Sequence, residues 1–126
     1  MTSPRPTLAS VALLHGAYWA LTGVWPLLHM ASFLAVSGPK HDLWLVRTLG
    51  VLIGVVGVTL LLAGWRRRVT PEIVVLAVGG ALGLTMIDVV YTLKGVIWKT
   101  YLLDAAAELM LVVLWAWAAR RPGHEG

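Results

Sequence analysis

Between Leu8 and Ala119 the chain is four long apolar stretches joined by short polar turns. A helix needs about 20 apolar residues to cross the hydrocarbon of a bilayer. Backbone groups in lipid must also be hydrogen-bonded within the protein, which leaves helices or closed barrels as spanning structures. The stretches run from about Leu8 to Val36, Leu43 to Trp65, Glu72 to Leu93 and Val96 to Ala119. Only 13% of residues are charged, about half the share in ordinary soluble domains. The expected fold is all-α, an integral membrane four-helix transmembrane bundle forming one domain, with sequential helices as antiparallel neighbours.

The first stretch, at about 29 residues or roughly 43 Å of helix, is longer than a bilayer requires. Pro26 removes a backbone donor inside it and favours a kink. Two arrangements follow: one tilted, kinked helix, or a span from Leu8 to about Trp25 followed by a short surface helix from Pro26 to Ser37. Ala35-Val36-Ser37 has the small residues of a cleavage site, but the apolar run far exceeds a signal peptide's. A retained first span is expected.

The joins carry stop and start signals. Gly38 and Pro39 end one helix, and Asp42 stands where it could cap the next. Thr70-Pro71-Glu72 reads as N-cap, first helical position and acidic first turn. Gly95, after Lys94, suits a left-handed helix end.

The net charge of +4 gathers at segment ends, as in Arg66-Arg67-Arg68 and Arg120-Arg121, where lipid head groups attract it. This disposition points to a membrane rather than to nucleic acid. Arg5, Arg66, Arg67, Arg68, Arg120 and Arg121 lie on one side, against Lys40, Lys94, Lys99 and a slightly embedded Arg47 on the other. The positive-inside rule then places both termini in the cytoplasm. The tail Pro122 to Gly126 is expected to be disordered. Trp44, Trp65, Trp98, Trp115 and Trp117 fall near span ends, where indoles anchor at the interface. The Arg, Ala, Val, Leu and Gly bias suggests a bacterial inner membrane.

Gly50 with Gly54, and Gly79 with Gly83, have the small-xxx-small spacing that lets helix backbones approach closely. They are candidate faces for packing within the chain, in a homo-oligomer or against a membrane-complex partner.

Asp104 and Glu108 are one turn apart inside the fourth stretch, and Asp88 lies within the third. Each acid near a bilayer centre costs roughly 2.5–3.5 kcal/mol on insertion scales. Intramembrane acids therefore need partners, protons or a ligand. Arg47, Asp88, Asp104 and Glu108 fall at similar depths, on three different helices. Tyr101, Asp104, Glu108 and Trp115 share one helical stripe, and Tyr91 stands one turn from Asp88. His29 could join from the first stretch. The candidate site is therefore Arg47, Asp88, Tyr91, Tyr101, Asp104, Glu108 and His29. One Arg neutralises one carboxylate, so two acids remain for protons, a cation, a protonated His29 or water.

Other chemistry has little support. The chain has no cysteine, which excludes thiol redox chemistry and thiolate metal sites. His15 and His29 have the spacing of haem ligands in membrane cytochromes, but the other three spans contain no facing His. His15 is expected to bond a neighbouring carbonyl or hydroxyl. Metal-binding residue types are present without a demanding spacing, and no cofactor is expected. Gly-x-Ser-x-Gly and phosphate-loop motifs are missing. In length and span number the chain resembles small multidrug transporters and dual-topology fluoride channels. It lacks the first-span Glu of the former and the Gly-rich arginine motif of the latter. The expected function is binding, with or without translocation, of a small cation, proton or small polar or amphipathic ligand. The alternatives are an accessory subunit of a membrane complex and a membrane enzyme.

Overall fold

Helix ends follow the capping chemistry written into the joins. A computed structural model describes residues 7–120; Arg5, Arg121 and the tail Pro122 to Gly126 lie outside the described residues. It contains α1 (Leu8–Leu28), α2 (Met30–Ser37), α3 (Leu43–Trp65), α4 (Pro71–Leu93) and α5 (Thr100–Ala119). Four of these, α1, α3, α4 and α5, are long and apolar enough to cross a membrane. Thr70 caps α4, accepting from the Ile73 N–H at 3.3 Å, with Pro71 at the first helical position. Asp42 occupies the N-cap of α3 but makes no side-chain cap bond.

The end of α4 is closed by Gly95 at φ 74°, with Gly95 N–H bonded to Thr92 O and Val96 N–H to Tyr91 O. This paired pattern is a Schellman motif. The same two bonds close α3, with Arg67 rather than glycine in the left-handed conformation, at φ 54°. After Gly95 the chain stays non-helical as far as Lys99. The fourth span therefore starts at Thr100 rather than at Val96, because the Schellman turn must be unwound before a new helix begins. Trp98 lies against Gly38, whose φ of 99° and contact with the indole both exclude a side chain.

The long first stretch breaks at His29, three residues after Pro26. His29 leaves helical geometry (φ −150°, ψ 80°) and caps α2, its Nδ1 accepting from the Ser32 N–H at 3.2 Å. Trp25 reaches across the break, donating to Ser32 Oγ at 2.8 Å and meeting Phe33 edge-on at 5.4 Å. The break is thus a built corner.

Glycines determine how the helices pair. Gly64 meets Ala9 and Leu13, Gly57 meets Gly16 and Ala20, and Gly50 and Gly54 meet Gly23. A Cβ on Gly23 would lie 2.5 Å from the Gly54 nitrogen, and one on Gly57 would lie 2.4 Å from the Ala20 nitrogen. The α1–α3 seam is therefore backbone against backbone, and the numbering falls along α3 as it rises along α1. Gly50 and the Gly54 backbone are taken up against Gly23 inside the chain, and Cβ atoms on Gly54, Gly79 and Gly83 would meet nothing within 4 Å. Helices α4 and α5 form a second pair, joined to the first mainly through α1; α3 and α4 barely touch despite their short join. The end of the bundle near the Arg66–Thr70 join, here the lower end, is filled by Val11, Ala12, Leu60, Ala77, Ala81, Trp115 and Ala118. Leu14, Leu21, Val51, Val75, Met110 and Val113 stand exposed on the outside, as lipid-facing residues do.

Candidate functional site

Facing the seam's far side, α1 presents His15, Tyr18, Trp19 and Thr22, spaced i, i+3, i+4 and i+7. All four lie on the stripe turned toward α4 and α5. In the upper half of the bundle the helices part around a cavity of about 640 Å³. Its wall includes Asp88 of α4 and Tyr101, Asp104 and Glu108 of α5. Three carboxyls from two helices thus line one space. Because α5 starts late, Asp104 lies only about one turn from its beginning.

Two of the acids are held by donors from α1. Tyr18 donates its hydroxyl hydrogen to Asp104 Oδ1. Trp19 Nε1 donates to both oxygens of Glu108, at 3.2 and 3.1 Å, although Glu108 is only 1% exposed. The Trp19 ring rests on Gly80 of α4, where no side chain intervenes. Asp88 is different. It stands beside Asp104, is 4% exposed, and its Oδ2 has no hydrogen-bond partner. A buried acceptor without a donor carries a desolvation penalty of about 1–3 kcal/mol, more if it is charged. Thr92 Oγ1, one turn away on α4, is also buried and unpartnered.

Beneath the acids lies a second polar contact. Trp115 Nε1 donates to His15 Nδ1 at 2.9 Å. An indole nitrogen can only donate, so Nδ1 accepts, and the neutral ring carries its proton on Nε2. That nitrogen has no hydrogen-bond partner. The imidazole meets Trp19 edge-on at 4.2 Å. His15 therefore bonds an indole, in place of the expected carbonyl or hydroxyl. Trp115 is 1% exposed: it belongs to the core and is not an interfacial anchor, because its stripe on α5 faces α1.

Three expected members of the site lie elsewhere. Arg47 is exposed and does not line the cavity, because the inward face of α3 is given to the glycines that meet α1. His29 is exposed and occupied as the cap of α2. Tyr91 is exposed on α4, with the Lys94 ammonium 5.6 Å from its ring centre. The cation nearest the cavity is instead Lys40, which contributes to its wall. Its Nζ donates to Ser37 O, Ser37 Oγ and Gly38 O at 3.0–3.3 Å. It also lies 5.4 Å from the Phe33 ring centre and 5.1 Å from that of Tyr101. All three of its donor hydrogens have acceptors within the chain.

Tyr18, Trp19 and Lys40 were thus not among the residues expected from sequence. The α1 stripe was visible as a polar and aromatic repeat at helical spacing. Lys40 had no such signal, because its position depends on the corner at His29. Among the described residues, no group of three His, Asp or Glu side chains is arranged to hold a metal ion.

Fold and site together define a helical membrane protein with an acid-lined cavity. No protein-family model, curated protein or solved structure matches the chain.

Proposed function

We propose that this protein binds, and carries across the bacterial inner membrane, a small cationic or polar ligand. In this reading sequential spans run antiparallel, both termini are cytoplasmic, and the cavity opens toward the outer leaflet. Asp88, Asp104 and Glu108 are the acceptors, and Tyr18 and Trp19 hold two of them in place. The supporting observation is the buried Oδ2 of Asp88, without a donor, in a cavity where three carboxyls meet and the cationic wall residue Lys40 is engaged by Ser37 and Gly38. An intramembrane acid without a partner marks an ion, proton or substrate site.

The test uses purified protein in lipid nanodiscs, titrated with sodium, potassium, methylammonium and 2-phenylethylammonium chlorides. Emission from Trp19 and Trp25, both in the cavity wall, reports occupancy. At least one cation is expected to give a saturable change that disappears in Asp88→Asn. If none does so in folded protein, the reading fails.

The second reading, an accessory subunit, draws on Gly79 and Gly83, whose surfaces are open to a neighbouring helix. It predicts co-purification with fixed partner chains rather than ligand binding.

A further inference from the structure

We infer that the cavity takes an amphipathic organic amine, an N–H-bearing ammonium group attached to an apolar body. The inference rests on the ligand-binding reading above and names its ligand class.

The first argument concerns donors and acceptors. Tyr18, Trp19, Thr22, Trp25 and Ser37 line the cavity, and each directs its donor to a partner within the chain. Lys40 does the same. The Thr100 and Tyr101 hydroxyls, which can donate or accept, complete the polar wall, and the oxygen left without a donor is Asp88 Oδ2, more than nine-tenths buried. An incoming molecule that supplies N–H brings a donor to this group of three carboxyls. One that supplies only acceptors, such as a carboxylate or an ester, brings none. A charge-assisted N–H···O bond is also among the stronger hydrogen bonds available.

The second argument concerns size and walls. A space of about 640 Å³ is far larger than an alkali ion and falls within the range of small-molecule pockets. The acids occupy one region, and Trp19, Trp25, Phe33 and Pro26 supply apolar surface in the same cavity. Aromatic faces attract ammonium groups and bury hydrocarbon equally well. The chain supplies its own precedent: the Lys40 ammonium already lies over Phe33 and Tyr101, two rings of this cavity.

The probes are 2-phenylethylammonium, its N,N,N-trimethyl analogue, 2-phenylethanol, 3-phenylpropanoate and methylammonium, each titrated into the nanodisc-held protein and followed by tryptophan emission. The primary amine is expected to bind at least about tenfold tighter than the alcohol and than methylammonium, with the trimethyl analogue between and the carboxylate weakest. Asp88→Asn is expected to weaken the amine about tenfold or more and the alcohol less than about twofold. Arg47→Ala, outside the cavity, is the control and leaves both unchanged. Because the comparison among probes needs only the wild-type chain, an unfolded variant does not remove the test. If the alcohol binds as tightly as the amine, the inference is overturned in favour of a neutral apolar ligand. If methylammonium or an alkali cation binds as tightly as the aryl amine, through Asp88, the organic-amine class is wrong while the cation site stands. If no cation binds, both fall.

Discussion

The two faces of α1 obey opposite rules. Toward α3 it offers Gly16 and Gly23, and the contact is so close that a methyl group would strike backbone atoms. Toward α4 and α5 it offers His15, Tyr18, Trp19 and Thr22, and the helices stand apart around side chains and empty space. In lipid there is little hydrophobic force to join helices, so association relies on van der Waals contact and interhelical hydrogen bonds. One face uses the first and the other uses the second. A tight seam on one side lets the other remain open without the bundle falling apart.

The largest expected effect breaks the seam. Gly23→Leu drives a side chain into Gly50 and Gly54 and should cost about 3 kcal/mol or more. The expected result is loss of the monodisperse, helical species, read by size exclusion and circular dichroism in detergent. A normally folded Gly23→Leu protein would mean the α1–α3 contact is not the one described. A middle-sized effect belongs to the polar face. Trp115→Phe removes the donor to His15 Nδ1 and leaves a buried ring nitrogen bare, costing about 1–3 kcal/mol. The thermal midpoint should fall while the secondary structure stays; an unchanged midpoint would imply that the ring finds another donor. Arg47→Ala touches neither face. Its stability should lie within about 0.5 kcal/mol of the parent, and a larger loss of stability would return Arg47 to the polar network.

Much of this contrast was legible in the residues. The glycine spacing announced close packing on α3, and the two-turn reach from Tyr101 to Glu108 announced an inward polar stripe on α5. The Thr70-Pro71 start and the Gly95 stop were local signals, and both hold. Arg47 was misplaced because charge complementarity drew it toward the acids, whereas its orientation is fixed by Gly50, Gly54 and Gly57 facing α1. Trp115 was misplaced because depth along a helix says nothing of which side an indole takes. Lys40 could not be placed at all, since a corner three residues past a proline decides where the following loop goes.

Gly80 gives the acid-lined space an unexpected gauge. The indole of Trp19 lies where a methyl at position 80 would be 2.5 Å from its Cη2, and the same indole is what grips Glu108. A single hydrogen atom on α4 therefore sets the tilt of a ring on α1, and that tilt sets the aim of a carboxylate on α5. Three helices are thus calibrated by the smallest substituent the genetic code can supply.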